Sequence, residues 1–439
     1  MPGMELRSRT RTADEAVSLV RSGQRVYIHN GCAEPVDLVN ALTRRGPRLH
    51  DVEVLHMATM GIAPYTSPEF EGHFRHHALF IGANVRRAVQ EGRADYTPIF
   101  LSEIEGLLRS GALPIDVCLL QCSPPDEHGF LNLGVSVDVS LTAARLARCV
   151  IAEINPNVPR VFGEGFLHMD EVDVFVETSH PVVEYPTHEI TDVHHAIGRR
   201  IAALVPDGAT IQTGIGGIPE ATLALLRNHK DLGFHSEMIP DGVMDLMQEG
   251  VLTNARKTNH RGRCVAGFAL GSKRLFDFLD RNPQFELRTT EYANDSFVIA
   301  RNERMVAINS AIEVDLTGQV CSDSVGFAPY SGIGGQVDFL RGAAHSKGGV
   351  PIVALPSLAK HGTVSRVVPS LTPGSVVVTS RGDVHYVVTE HGVAYLHGKT
   401  LTQRAEALIQ IAHPKFRREL EAAARERGLL RADRTPIAV

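Results

Sequence analysis

The segments LVRSGQRVYIHNG at residues 19–31 and LVPDGATIQTGIG at residues 204–216 are two copies of one pattern. In each copy a helix end precedes a turn glycine, Gly23 or Gly208, and a β-rich run then leads to a second glycine eight residues later. Both copies are followed by a proline and a helical pattern. A strand that passes through glycine into a helix is typical of an α/β fold.

Further matches follow in the same order, with an offset of about 180–190 residues. The matched pairs are VLHMATM at 54–60 with GFHSEMI at 233–239, FIGANVRRAV at 80–89 with FALGSKRLFDF at 268–278, and VCLLQCSPPDEHGFLN at 117–132 with VAINSAIEVDLTGQVC at 306–321. This order predicts two similar α/β domains produced by duplication. The alternative is that any two α/β domains share a strand–glycine–helix rhythm.

The length of the chain also favours two domains. Its 439 residues exceed the roughly 250–300 residues at which single hydrophobic cores stop growing. We expect domains at residues 1–187 and 188–439, joined within residues 187–195. Short β-branched runs alternate with helical patterns, which predicts sheets covered by helices. After Leu396 the pattern becomes helical, so the second domain is expected to end in a helical tail.

Composition and charge exclude several classes of protein. A hydrophobic fraction of 43% and a charged fraction of 21% are typical of a globular protein. A net charge of -6 predicts no general attraction to nucleic acid or to an anionic membrane. We find no secretory signal and no apolar run of membrane-spanning length. The six cysteines form no CxxC pair, so we expect buried free thiols, no metal site and a cytoplasmic location.

One difference between the two copies points to chemistry. The first copy has HMA at 56–58 where the second has HSE at 235–237, so only the second copy carries a carboxylate, Glu237, at this place. Glu237 follows a short apolar run and precedes a turn signal at 240–242. A carboxylate at the end of a strand can face a cleft. The structural alternative is a solvated residue or a helix cap.

Two glycine-rich loops and one lysine are candidate binding elements. QTGIGGIP at 212–219 joins a predicted strand to a helix, where backbone N–H groups can approach phosphate or an oxyanion. It does not complete a dinucleotide or P-loop motif. SGIGGQVDF at 331–339 is the second loop, and Lys360 follows Gly335 by 25 residues and can meet an anion. A tight connection and a solvated lysine are the structural alternatives.

At the level of longer motifs, the chain resembles the acetyl-CoA hydrolase/transferase family, and most closely its 4-hydroxybutyrate CoA-transferase-like branch of class I-type CoA-transferases. The motifs that carry the resemblance are SPPDEHGF at 123–130, QTGIGGIP at 212–219, HSEMIPDGV at 235–243, EYANDSFVIA at 291–300 and SGIGGQVDF at 331–339. Similarity extends from SGQRVYIHNGCAEP at 22–35 to HGVAYLHGKTL at 391–401.

The resemblance implies two α/β domains of the CoA-transferase type with the active site at their interface. It implies that Glu237 is the catalytic nucleophile and that coenzyme A is a substrate rather than a permanently bound cofactor. The implied CoA contacts are Gln212, Thr213, Gly214, Ile215, Gly216, Gly334, Gly335 and Lys360. The implied reaction moves CoA between an acyl-CoA such as acetyl-CoA and a short-chain carboxylate such as butyrate or 4-hydroxybutyrate. A homodimer is the default assembly.

A glutamate with an ordinary pKa of about 4.3 is ionised at neutral pH and needs no partner base. We therefore expect a γ-glutamyl-CoA thioester and ping-pong kinetics. Asn30, His56 and Met57 of the first domain are expected to line the substrate pocket opposite Glu237, although each can equally be a packing residue. The alternatives for function are an acyl-CoA hydrolase, a CoA-binding regulator without turnover and, less favoured, a phosphosugar isomerase on a related scaffold.

Overall fold

Parallel β-sheets, one in each half of the chain, form the frame of the computed structural model, which describes residues 2–186 and 189–430. All pairings in the first sheet are parallel, and its central strands are buried along their length because helices cover both faces. In spatial order its strands are Ala94–Tyr96, Phe74–Ala78, Val52–His56, Arg25–Ile28, Val117–Cys122, Cys149–Ile154 and Val174–Glu177.

The second sheet repeats this order. Its strands are Gly233–Phe234, Thr210–Thr213, Met305–Ser310, Val350–Ala354, Tyr386–Thr389 and, antiparallel at the edge, Gly392–Tyr395. A bridge between His235 and Val265 extends it to the parallel pair Cys264–Ala266 and Phe285–Leu287. The strand that precedes Glu237 therefore holds the same place as Val52–His56 in the first sheet.

The duplication predicted from sequence is visible in matching turns. Asp126 accepts hydrogen bonds from the N–H groups of residues 128 and 130, and Asp315 accepts them from residues 317 and 319. Each turn contains a glycine in the left-handed region, Gly129 at φ 84° and Gly318 at φ 93°. A side chain there would be strained, which explains why both copies keep an aspartate and a glycine at this spacing.

Helices cover the sheets and form the C-terminal segment. Those at Asp192–Ala202 and Leu401–Ile411 begin at threonine capping boxes, which satisfy the first free N–H groups. The other helices are Pro2–Arg9, Ala13–Val17, Val36–Arg45, Arg86–Gln90, Ile104–Arg109, Ser140–Leu146, Gly217–Leu225, Asp241–Gln248, Lys273–Leu279, Thr290–Ala293, Ser296–Ala300, Gln336–His345 and Pro414–Glu426. The expected domain boundary, between Thr187 and His188, lies outside the described residues.

Short strands complete the connections between the main elements. They are Phe130–Asn132, Phe166–His168, Met238–Ile239, Phe268–Ala269, Glu313–Asp315, Val320–Cys321, Ser324–Val325, Ala328–Pro329, Leu358–Ala359, Val364–Ser365 and Val367–Val368. The strand pair Met238–Ile239 and Phe268–Ala269 directly follows Glu237 and helps to fix its backbone.

The carboxyl ends of the two sheets meet. Backbone hydrogen bonds cross between the halves from the N–H of Ala269 to the carbonyl of Val135, at 2.7 Å, and from the N–H of Leu101 to the carbonyl of Gly334, at 3.1 Å. A shared hydrophobic core also includes buried residues of both sheets. Because ligand sites of parallel sheets form at the carboxyl ends of the strands, this junction is where a site is expected.

Candidate active site

The backbone of Glu237 is fixed on both sides by hydrogen bonds. Ser236 donates its hydroxyl to the carbonyl of Thr213, at 3.0 Å, and its N–H to the carbonyl of Val265, at 3.0 Å. The carbonyl of Glu237 accepts the N–H of Gly267 at 2.8 Å. The side chain therefore projects from a rigid strand end toward the junction of the two halves.

The carboxylate of Glu237 has two close partners from the second half. Asn294 donates its Nδ2–H to Oε2 at 3.3 Å. The backbone N–H of Gly335 lies against the same carboxylate and lowers its pKa. A Cβ at Gly335 would overlap both Oε2 of Glu237 and Nδ2 of Asn294, so only glycine allows this close approach.

The pKa of Glu237 departs from the ordinary value used in the sequence analysis. It is raised from 4.5 to about 7, mainly by burial and also by the charges of Asp338 and Asp138, while the hydrogen bonds from Asn294 and Gly335 act to lower it. Glu237 is thus only partly ionised at neutral pH. The same environment makes its ionised form a stronger base than an exposed glutamate.

The first glycine loop connects the strand Thr210–Thr213 to the helix Gly217–Leu225. Gln212 is turned into the sheet, where its Oε1 accepts the N–H of Ile308 at 3.0 Å. Of the described residues, none has an atom within 4 Å of a Cβ built at Gly214 or Gly216. Gly214 and Gly216 therefore border open space, whereas Thr213 before them is buried and Ile215 between them packs against the hydrophobic core.

The second glycine loop is held by the first half of the chain. Gly334, at φ 57°, packs on the ring of Phe80, and Gly335 precedes the helix Gln336–His345. Lys360 is exposed on the connection that follows the strand Val350–Ala354, and its ammonium has no carboxylate partner among the described residues. Lys360 thus follows a strand of the second sheet, whereas the second glycine loop follows the short strand Ala328–Pro329, which lies outside that sheet.

Asn30 reaches the site indirectly. Its Nδ2 donates to Asp138 and to the hydroxyl of Tyr27, each at 2.7 Å, and its Oδ1 accepts the N–H of Met57 at 3.0 Å. Asp138 is fully buried, and its charge acts on the pKa of Glu237. Asn30 therefore supports a carboxylate near Glu237 while it fixes the backbone of Met57.

His56 makes its contacts within its own half. Its Nε2 is 2.7 Å from the hydroxyl of Tyr65, and its ring lies 4.3 Å from that of His76. Burial and the neighbouring His76 place the pKa of His56 well below its ordinary value, so the ring is neutral. These contacts describe a packed histidine. The side chain of Met57 is likewise part of the hydrophobic core.

Three site residues were not singled out from sequence: Asn294, Asp338 and Asp138. Asn294 and Asp338 lie in the quoted motifs EYANDSFVIA and SGIGGQVDF, so the motifs marked the right segments. Asp138 had no such signal. Its proximity to Glu237 arises from tertiary structure, since the N–H of Asp138 bonds the carbonyl of Gly267 at 3.2 Å.

One group of side chains among the described residues has the spacing of a metal site: Asp37, Glu153 and His180. His180 Nε2 lies 3.0 Å from Glu153, and this hydrogen bond raises the pKa of His180 to about 9. The imidazole is therefore protonated and paired with the carboxylate.

In residues 2–186 and 189–430 we also find no helix with the length and apolarity needed to span a membrane.

Comparisons with known proteins agree with this geometry. Residues 5–185 match the acetyl-CoA hydrolase/transferase N-terminal domain, and residues 271–424 match the C-terminal domain of the same family. The chain is 51% identical over 409 residues to the 4-hydroxybutyrate coenzyme A transferase of Clostridium kluyveri, covering 93% of this chain and 95% of that protein.

Two solved structures share the fold over nearly the whole length. The 4-hydroxybutyrate CoA-transferase from Porphyromonas gingivalis superposes with a TM-score of 0.84 at 40% identity, covering 97% of this chain and 100% of that one. RipA from Yersinia pestis superposes with a TM-score of 0.93 at 37% identity, covering 98% and 100%. Both domain matches and these similarities lead to one conclusion: the chain belongs to the acetyl-CoA hydrolase/transferase family.

Proposed function

We propose that this chain is a CoA-transferase that moves CoA between an acyl-CoA, such as acetyl-CoA, and a short-chain carboxylate, such as butyrate or 4-hydroxybutyrate. The observation that carries the proposal is the carboxylate of Glu237, which meets Asn294 and Gly335 where the two sheets join. Relatives that are 38–51% identical are named CoA-transferases, which supports the same class of reaction.

In the first half-reaction, the ionised carboxylate of Glu237 attacks the thioester carbonyl. The C–S bond breaks, CoA departs as the thiolate, and a mixed acyl-glutamyl anhydride remains on the enzyme. The thiolate then attacks the glutamyl carbonyl, which releases the donor's carboxylate and leaves γ-glutamyl-CoA. An acceptor carboxylate reverses these two steps and departs as the new acyl-CoA, so Glu237 ends the cycle as it began.

Each step passes through a tetrahedral oxyanion that needs preorganised donors. The N–H of Gly335 lies against the carboxyl of Glu237, which supports a role toward an oxyanion formed on the glutamyl carbon. Gly214 and Gly216 border open space, and we propose that their N–H groups are the donors for an oxyanion on the acyl carbon. A single donor of this kind is worth about 3–4 kcal/mol in the transition state.

Contacts remote from the chemistry bind the CoA moiety. The segment 213–216 and Lys360 lie at or after the ends of strands of the second sheet, and together with Gly334 they can bind the phosphates and the pantetheine chain. Gln212, which is turned into the sheet, is proposed to support this segment rather than to contact CoA. Binding energy from these contacts can hold the thioester against Glu237, so their loss lowers turnover as well as affinity. Asn30 is proposed to support the acyl side of the cleft through Asp138, whereas the contacts of His56 and Met57 favour packing.

The proposal also includes domains at 1–187 and 188–439, a homodimer and a cytoplasmic location. The two family matches lie on either side of the proposed boundary. All six cysteines are free thiols, which suits a reducing compartment. The twofold dimer is the commonest closed assembly of identical chains, and light scattering during gel filtration measures it directly.

Acyl exchange kinetics test the proposed function. The enzyme is supplied with acetyl-CoA and with butyrate or 4-hydroxybutyrate as acceptor, and both free CoA and new acyl-CoA are measured. A transferase gives parallel double-reciprocal lines and releases little CoA without an acceptor. Intersecting lines contradict the covalent mechanism, and rapid acceptor-independent release of CoA identifies the hydrolase alternative. Binding without either reaction identifies the regulator.

A further inference from the structure

A second buried carboxyl, that of Asp338, lies beside Glu237. Asp338 is 8% exposed and belongs to the first turn of the helix Gln336–His345. Its two oxygens accept the hydroxyl of Ser102, at 2.9 Å, and the N–H of Ser102, at 3.2 Å. Ser102 comes from the first half of the chain, so these bonds cross the junction on which the site is built.

Asn294 lies between the two carboxyls. Its Nδ2 donates to Oε2 of Glu237, and its side chain also interacts with Asp338, whose pKa it lowers. Asn294 is fully buried, and its Oδ1 has no hydrogen-bond partner among the described residues. A buried amide oxygen without a partner is costly, so its retention beside two carboxyls suggests a functional placement.

The electrostatic effects on Glu237 oppose one another. The N–H of Gly335 and the N-terminus of its helix stabilise the ionised carboxylate of Glu237. Acting alone, this stabilisation would lower the basicity of the carboxylate and make it a weak nucleophile. The negative charges of Asp338 and Asp138 act in the opposite direction. Asp338 lies in the first turn of this helix, and its negative charge therefore offsets the lowering of the Glu237 pKa by the helix N-terminus.

Other charged groups act on Asp338 itself. The pKa of Asp338 is raised to about 6, mainly by burial and also by the charge of Glu103, while the hydrogen bonds from Ser102 and Asn294 act to lower it. Arg341, one turn along the helix, interacts with Asp338 but is paired with Asp383 at 3.0 Å. Within residues 2–186 and 189–430, Asp338 is thus held by Ser102 and forms no ion pair of its own, so its charge remains effective toward Glu237.

We propose that Asp338 is a positioning residue that acts through Asn294, is aligned by Ser102 of the opposite half, and keeps the carboxylate of Glu237 strongly nucleophilic. The proposal rests on the function proposed above, because it concerns the nucleophile of that reaction. Acylation of Glu237 removes its charge and relieves the repulsion from Asp338. The pair therefore favours the glutamyl thioester relative to the free carboxylate.

The pH dependence of thioester formation tests this role. Wild-type enzyme and variants are mixed with acetyl-CoA from about pH 5.5 to 8.5, quenched in acid, and the fraction of thioester on Glu237 is followed by intact-mass spectrometry. Asp338→Asn is expected to move the midpoint of the rate profile about one unit toward acid. It is also expected to lower the plateau rate and the thioester fraction at equilibrium.

Three further variants separate positioning from general damage. Ser102→Ala, which removes one donor to Asp338, should shift the midpoint in the same direction by less, and Ser102→Thr should restore it. Asp277→Asn removes an exposed carboxylate that pairs with Lys273 on a different helix and should leave the profile unchanged.

An unchanged midpoint and thioester fraction in Asp338→Asn overturn the proposal. If that variant fails to fold by circular dichroism, Ser102→Ala decides, because an unchanged profile there overturns the proposal equally. Absence of a thioester in the wild-type enzyme is a different result: it overturns the proposed covalent mechanism itself, and the proposal about Asp338 with it.

Discussion

Replacing Gly335 by alanine should slow the chemistry without unfolding the protein. The backbone of Gly335, at φ -96° and ψ 8°, is open to alanine, so no backbone strain is introduced. The new Cβ would stand 3.4 Å from Cδ of Glu237 and would overlap its Oε2 as well as Nδ2 of Asn294. The obstacles are the ends of two side chains, which can move aside.

The size of the effect follows from that movement. To restore van der Waals separation, the carboxylate oxygen must move by about 1 Å, and a misplacement of about 1 Å can cost roughly 100-fold in rate. We expect Gly335→Ala to lower kcat by about this factor. The affinity for acetyl-CoA should change little, because the substituted position faces the nucleophile.

Single-turnover formation of the glutamyl thioester is the appropriate assay, with thermal unfolding measured in parallel. Gly106→Ala is the matched control, because in the described part of the chain no atom beyond its own helix backbone lies within 4 Å of a Cβ at that position. A Gly335→Ala enzyme that forms the thioester at the wild-type rate would refute the contact between this glycine and the nucleophile.

The following predictions concern stability and binding. The folded-state pKa of Glu237 is about 7 rather than 4.5, so its ionised form destabilises the fold. In thermal unfolding, Glu237→Gln should therefore raise the free energy of unfolding by about 3 kcal/mol over wild type at pH 8 and leave it unchanged near pH 4.5. An equal gain in the variant Glu419→Gln, at an exposed glutamate, would contradict this explanation. Asn30→Ala removes a hydrogen-bond donor to buried Asp138 and should lower the free energy of unfolding, measured in urea, by about 2 kcal/mol. An unchanged free energy of unfolding would mean that this hydrogen bond contributes nothing to stability. Lys360→Ala should raise KM for acetyl-CoA about two- to fivefold at low salt and less at high salt; a salt-independent KM equal to wild type excludes contact with the phosphates.

The sequence allowed the architecture to be predicted because the duplication repeats local chemistry. The turns at Asp126 and Asp315 need an aspartate to accept N–H groups and a glycine at positive φ, and these requirements survive when other positions diverge. The position of Glu237 was found in the same way, as a difference between two copies of one strand end.

The sequence could not give the environment of Glu237. Its raised pKa depends on burial and on Asp138, which is 99 residues away in the chain and is brought close through Gly267. The contacts of His56 also depend on tertiary structure, because its partners, Tyr65 and His76, lie in the short 3-10 helix Pro64–Thr66 and in a neighbouring strand. Local patterns carry no information about such proximity.

The most direct test of the central claim is peptide mass spectrometry of the enzyme after mixing with acetyl-CoA and reduction with borohydride. Borohydride converts a γ-glutamyl thioester to an alcohol, so the account predicts that the peptide containing Glu237 loses the mass difference between a carboxyl and a hydroxymethyl group, and that Glu237→Ala shows no such change. An unmodified Glu237 in an enzyme that exchanges acyl groups would contradict the account.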